Sequence, residues 1–207
     1  MIDSQQTQSI LMREVLSRLS EVFGRPDWRN TLPPVDELVC TILSQNTNDR
    51  NRDVAFNSLK RRFPNWNALI DAPEEEIIEA IRIAGLANQK GPRIKEVLSK
   101  IKNERGNLDL TFLAQLPLEE AREWLLRFKG VGYKTAAIVL QFSLNRPAFP
   151  VDTHVYRVTG RLGARPTKMS VEQTHFLMEG LIDPSEFYAG HLNLIRLGRE
   201  ICHARNP

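Results

Sequence analysis

Apolar residues recur along almost the whole chain at intervals of three and four, and strict alternation is absent. That pattern excludes a sheet-built domain, because a half-buried strand alternates whereas a helix repeats about every 3.6 residues. Ile10, Leu11, Val15, Leu19 and Val22 mark a first face, stopped at Gly24-Arg25-Pro26. A loop through Asn30, Pro33 and Pro34 reads as a linker. Val35, Leu38, Val39, Ile42 and Leu43 mark a second helix, in which Cys40 reads as a small buried hydrophobe. Val54, Phe56, Leu59 and Phe63 give a third, and Leu69 and Ile70 a short fourth. Ile77, Ile78, Ile81 and Ile83 give a fifth, ended by Gly85; Ile94, Val97, Leu98 and Ile101 give a sixth, ended by Gly106. Segments 118–128, 134–144, 151–162, 171–181 and 185–202 complete an all-α chain. Its 207 residues, 42% hydrophobic, suffice for one or two small domains with a real core.

Two of these helical patterns meet at Phe128-Lys129-Gly130-Val131-Gly132-Tyr133-Lys134. Gly130 and Gly132 give two positions that accept positive φ or a close backbone approach. The pattern resumes at Tyr133 and Lys134, where N–H groups point out of a helix start with the positive end of the helix dipole behind them. A nucleic-acid phosphate suits such a place, and so does a plain interhelical turn with a glycine C-cap. Arg127, Lys129 and Lys134 flank the loop. Downstream, Pro150-Val151-Asp152-Thr153-His154 opens another helical pattern, with Asp152 at the N-cap position.

The run Phe-Lys-Gly-Val-Gly-Tyr-Lys-Thr-Ala over 128–136, followed by Pro-Val-Asp-Thr-His-Val-Tyr-Arg-Val over 150–158, resembles the helix-hairpin-helix, glycine/proline-rich loop and aspartate signature of the endonuclease III family of DNA glycosylases. The resemblance extends from about Pro34 to the C-terminus. It implies a two-lobed helical fold: one lobe over 31–146 carries the hairpin, and 1–30 with 147–207 build the other. DNA would lie in a cleft between the lobes, with Lys134 and Asp152 at its mouth. It implies base-excision repair of double-stranded DNA by a monomer: removal of a damaged base, an oxidised pyrimidine by resemblance, then strand cleavage. Lys134 matches the family's nucleophile and Asp152 its catalytic aspartate. An amine attacks C1′ of deoxyribose only when unprotonated, and a free lysine with a pKa of about 10.4 is almost wholly charged at pH 7. Two alternatives stay open: an 8-oxoguanine glycosylase/lyase, which needs the same pair, and a non-catalytic helix-hairpin-helix module, which does not.

Two further loops carry candidate DNA contacts. Leu43-Ser44-Gln45-Asn46-Thr47-Asn48-Asp49 is amide-rich. An amide has both donor and acceptor and can satisfy the base left opposite an extruded nucleotide, so Gln45 or Asn46 could enter the helix; Asn48 or Asp49 could equally cap the next helix. Gly85-Leu86-Ala87-Asn88-Gln89-Lys90 places Leu86 where the family carries an apolar wedge. The same leucine could instead tuck beneath its glycine cap. Gln89, Lys90 and Arg93 are candidate phosphate contacts, as are Lys129, the backbone of Gly130, Val131, Gly132 and Tyr133, and His154. Arg157, Arg161, Arg165, Lys168, Arg196, Arg199, His203 and Arg205 add positive charge to the last third.

Net charge is only +3, so the balance permits a nucleic-acid partner without requiring one. No run of 18 apolar residues provides a membrane span, and the polar start (Asp3, Ser4, Gln5, Gln6) lacks the layout of a secretion signal. The expected place is the cytoplasm, near the nucleoid. Many members of the family bind a [4Fe–4S] cluster through four cysteines, and Cys202 resembles the first of them. The only other cysteine is Cys40, so no cofactor and no metal site is expected.

Overall fold

The computed structural model of the chain describes residues 4–29 and 32–205. Eleven α-helices follow one another among them: α1 (Ser4–Phe23), α2 (Pro34–Ser44), α3 (Asp49–Arg62), α4 (Trp66–Asp71), α5 (Glu74–Ala80), α6 (Ala87–Arg105), α7 (Leu118–Leu126), α8 (Tyr133–Ile138), α9 (Thr153–Arg161), α10 (Val171–Leu181) and α11 (Phe187–Glu200). Short 3₁₀ turns stand at Arg82–Ala84, Thr111–Gln115 and Pro184–Glu186, and no strand occurs among the described residues. The fold is all-α. The expected linker residue Asn30 lies outside the described residues.

The chain divides into two compact units, one of Leu32–Val139 and one of residues 1–31 with 140–207. The second boundary differs from the expected residue 146. It falls inside a continuous helical run, where α8 passes into a π-helical turn over Val139–Ser143. The wider turn takes a carbonyl out of the α pattern, and the indole N–H of Trp28 donates to Gln141's carbonyl at 2.8 Å. Asn145-Arg146-Pro147 ends the helix but not the unit.

In the Leu32–Val139 unit, α2 packs on α3 and α8, and α5 on α6. Leu38, Ile42, Leu59, Ile77, Ile94 and Leu98 are fully buried. Gly91 lets α5 and α6 come close, since a Cβ there would lie 2.9 Å from Ile78 Cγ1. The sixth helix begins earlier than the apolar pattern indicated, at Ala87 rather than near Ile94. Gly91-Pro92 reads as a break, yet Pro92 sits inside α6. Its ring deprives Asn88's carbonyl of a donor, but Asn88 is exposed and water can supply one.

In the second unit α1, α9, α10 and α11 surround a core containing Met12, Leu16, Phe149, Val155, Met178 and Phe187. The buried stripe of α1 is Met12, Leu16 and Leu19, while Ile10 and Val22 are 55% and 71% exposed. The expected face was thus rotated by part of a turn. Apolar residues outnumber the places the neighbouring helices can cover, and Met12 competes for the core as well as isoleucine. Val54 and Ile83, also expected inside, are exposed for the same reason. Met12→Ala should therefore lower the unfolding free energy by about 2–5 kcal/mol, and Ile10→Ala by less than about 0.5 kcal/mol, measured by urea denaturation.

Candidate nucleic-acid interface and reactive residues

The hairpin between α7 and α8 is closed by its own backbone. Phe128 donates to Leu125's carbonyl at 3.3 Å, and Val131 to Phe128's at 3.0 Å. Gly130 has φ +84°, which glycine adopts freely. A Cβ there would fall on the Cδ of Arg93, so α6 fills the space behind the loop. Val131 is corrected as a phosphate contact: its side chain is 5% exposed and its N–H is already used. Gly132 and Lys129 are exposed, and Tyr133 is half-buried. Lys134, the second residue of α8, is half-buried rather than sealed in the core.

Behind Lys134 lies a carboxyl that the sequence reading missed. Glu37, on α2, is 9% exposed and accepts from the Thr41 hydroxyl at 3.4 Å. Burial raises its pKa above the ordinary carboxylate value, and the Thr41 hydrogen bond, Arg52 and Lys134 pull it back. Its one signal in the sequence is that it stands, with Asp36, between the apolar residues Val35 and Leu38.

The amide-rich loop resolves into two roles. Gln45 faces inward: its Nε2 donates to Gly130's carbonyl at 3.0 Å, and its Oε1 accepts from Arg93 at 3.2 Å. It braces the hairpin, and Arg93 shares in the brace through one guanidinium nitrogen. Asn46 is exposed and left-handed, with φ +52°. Asn48 caps α3 by accepting from Asn51's N–H at 2.9 Å.

Leu86 is 48% exposed and also left-handed, at φ +51° and ψ +30°. It is not tucked beneath the glycine. An aliphatic residue in that region costs on the order of 1 kcal/mol, and such strain gathers at functional loops. Asn46 and Leu86 are two of three non-glycine residues with positive φ among those described. Lys90 is corrected. It is 1% exposed, and its ammonium donates to Leu43's carbonyl at 2.8 Å, Thr47 Oγ1 at 2.6 Å and Ala84's carbonyl at 2.9 Å. It reaches no phosphate. Burial lowers its pKa to about 8.

In the other unit, Asp152 caps α9, its Oδ1 accepting from Val155's N–H at 2.8 Å. The three residues before it are held by side chains of α10 and α11. Glu179 accepts from Phe149's N–H at 2.9 Å, and His191 Nδ1 lies 2.9 Å from Pro150's carbonyl. His175 Nδ1 lies 2.8 Å from Phe149's carbonyl and 3.2 Å from Val151's N–H, so its tautomer decides which it serves. Nothing in the local sequence of Asp152 announces these three supports, which come from 23 or more residues downstream.

Three arginines that follow Asp152, Arg157, Arg161 and Arg165, make hydrogen bonds within their own unit. His154 Nδ1 meets Arg157 Nη2 at 3.1 Å, and its Cβ packs against Gly198. Arg157 donates to the carbonyls of Gly198 and Cys202 at 2.7 and 3.0 Å. Arg161 donates to those of His203 and Ala204 and to Cys202 Sγ, the last at 3.2 Å. Gly198's carbonyl lies in the last turn of α11 and the others in the chain just beyond it, and the guanidiniums supply the donors these carbonyls lack. Arg165 is 8% exposed and stacks on Tyr156 at 3.5 Å.

A family model described as HhH-GPD superfamily base excision DNA repair protein matches residues 39–184. The chain belongs to that superfamily. It is 40% identical over 174 residues to a putative DNA glycosylase of Arabidopsis thaliana, covering 84% of this chain and 56% of that one. The chain thus spans little more than half the length of this plant relative. It is 33% identical over 199 residues to endonuclease III of Thermotoga maritima, covering 95% of this chain and 85% of that one. Among solved structures, a trapped endonuclease III–DNA covalent intermediate superposes with a TM-score of 0.82 at 27% identity, over 96% of this chain and 90% of that one.

The iron–sulfur cluster that many HhH-GPD members of the endonuclease III type carry needs four thiolates. The 207 residues hold two cysteines, in different units. Cys40 is buried in α2, with its thiol pushed up to about 12; Cys202 accepts from Arg161. These residues do not fit the cluster, and no group of three or more potential metal ligands occurs among those described.

The hairpin makes opposite demands on its two glycines. Gly130→Ala must hold a left-handed alanine and displace Arg93, whereas Gly132 has φ −101° and nothing within 4 Å of a Cβ. Thermal melts should show Gly130→Ala less stable by about 1–3 kcal/mol and Gly132→Ala changed by less than about 1 kcal/mol.

Proposed function

We propose that this chain is a bifunctional DNA glycosylase and abasic-site lyase acting on double-stranded DNA, with oxidised pyrimidines as its substrate class. The observation that carries the reading is the placement of Lys134. It follows directly on the glycine hairpin, opens a helix, stays half-exposed, and has the buried carboxyl of Glu37 within its field. The naming of two relatives as endonuclease III and as a trapped endonuclease III–DNA covalent intermediate supports a mechanism through an enzyme–DNA bond.

The exposed Lys129 and Gly132, with Tyr133, hold a phosphate next to the damaged nucleotide. Asn46 and Leu86 enter the stack as the nucleotide is extruded, the amide meeting the orphaned base and the leucine wedging a base step. As the N-glycosidic bond breaks, its electron pair leaves with the base, which takes up a proton. Positive charge develops on the sugar, and the Asp152 carboxylate stabilises it. Only its Oδ1 makes a bond among the described residues, so capping leaves Oδ2 for this task. The unprotonated amine of Lys134 forms a bond to C1′; one of its protons passes to the ring oxygen as the C1′–O4′ bond breaks, which leaves a protonated imine and a 4′ hydroxyl. That imine acidifies C2′–H; a base removes the proton, and the C3′–O bond breaks with expulsion of the 3′ phosphate. The steps use imine chemistry and no iron–sulfur group.

Borohydride should trap the wild type on duplex DNA carrying an abasic site as a covalent adduct, and Lys134→Ala should give none. Trapping of that variant at the wild-type level would remove Lys134 from the mechanism. Asp152→Asn keeps a good N-cap, so its melting should change little, while release of a damaged pyrimidine should slow by about a hundredfold or more.

A further inference from the structure

Lys90 is a buried cation whose hydrogen-bond partners are all neutral oxygens. An ammonium has three donors and no acceptor, and here three neutral oxygens take them: Leu43's carbonyl, Thr47 Oγ1 and Ala84's carbonyl. Buried charges are ordinarily paired with an opposite charge, because desolvation is otherwise uncompensated. Two of these oxygens lie where short helices end, so the ammonium faces the negative ends of α2 and of the 3₁₀ turn before Gly85.

The three acceptors belong to two different turns. Leu43 and Thr47 flank Asn46, and Ala84 precedes Leu86 by two residues. The Thr47 hydroxyl also contacts Ala84's carbonyl. One ammonium therefore closes both turns against each other, and each turn ends in an exposed, left-handed, non-glycine residue. One helical turn along, Arg93 joins the Asn46 loop, through Gln45, to the hairpin.

Resting on the function proposed above, we infer that Lys90 is a positioning residue that fixes the spacing of Asn46 and Leu86, so that both enter one extruded-nucleotide step of duplex DNA. Lys90 itself touches no DNA. A methionine there would keep the apolar stem but leave two backbone carbonyls and a hydroxyl without their shared donor. The two turns would then be joined by the Thr47 hydroxyl alone, without the ammonium that holds it and both carbonyls at one point, and the two inserting residues would lose their common register. Binding to undamaged duplex, which needs neither residue inside the stack, would be spared.

The test compares wild type, Lys90→Met, Leu86→Ala and the double variant. Affinity is measured by fluorescence anisotropy for a duplex with a tetrahydrofuran abasic-site analogue and for the same duplex undamaged. Lys90→Met should lower the preference for the lesion duplex by about tenfold, with affinity for undamaged DNA and its salt dependence unchanged. Leu86→Ala should cost a similar factor in the wild type and less than about twofold in Lys90→Met, since its register is already lost. Should Lys90→Met fail to fold, Thr47→Val, which removes the bridging hydroxyl and keeps the ammonium, should show the same non-additivity with Leu86→Ala. Full additivity, an unchanged lesion preference, or a salt slope reduced by a phosphate contact overturns this inference while leaving the enzyme reading intact. A wild type that binds both duplexes equally overturns the enzyme reading and this inference with it.

Discussion

A buried ammonium with only neutral oxygens as hydrogen-bond partners is the constraint on which the Leu32–Val139 unit turns. Lys90 satisfies the carbonyls of Leu43 and Ala84 and the hydroxyl of Thr47 at 2.6–2.9 Å. Helix ends leave carbonyls that a compact unit cannot hide without a donor. A lysine threaded from α6 supplies three donors at one point. Arg93 does related work one turn further along, filling the space that Gly130 leaves open and orienting Gln45 against the hairpin. Helix α6 thus joins the amide loop, the Leu86 turn and the glycine hairpin into one surface. The residues left exposed on that surface are Asn46, Leu86, Lys129 and Gly132.

The other unit solves a different problem, that of fixing one carboxylate at the start of a helix. Asp152 caps α9, but a cap alone leaves the preceding loop loose. Glu179, His175 and His191 take up the backbone groups of Phe149, Pro150 and Val151 one after another. The phenyl ring of Phe149 is meanwhile fully buried against Phe187. Asp152 is therefore held from both sides, by the helix it starts and by a loop that side chains of α10 and α11 pin in place. The cap uses Oδ1 and leaves the other carboxylate oxygen over, so a structural and a chemical role can share the residue.

Positive charge proved a poor guide to the nucleic-acid face. Arg157, Arg161 and Arg165 lie close in sequence and suggest a basic stripe. Each is engaged by carbonyls of its own unit, and Arg165 is stacked on a tyrosine as well. A guanidinium's planar set of donors suits the orphan carbonyls of a helix end as well as it suits phosphates. The function proposed above therefore rests on the glycine hairpin and the two strained turns rather than on a count of arginines.

Some of this was written in the chain. The threefold and fourfold spacing of apolar residues dictated helices and their breaks, because burying one face of a helix requires that period. The run from Phe128 to Val158 named the hairpin, Lys134 and Asp152, because glycine conformations and helix-start amides are local matters. What only the tertiary structure decided is the fate of side chains whose partners are remote in sequence. Lys90 and Gln45, equally plausible as DNA contacts from composition, turn inward toward carbonyls dozens of residues away, while their neighbours Leu86 and Asn46 turn out. Glu37 meets the field of Lys134 only because α2 packs on α8, and His175 and His191 find the Asp152 loop only because α10 and α11 fold back onto it. Hydrogen bonds and desolvation act over a few ångströms of space, and the distance along the chain does not enter them.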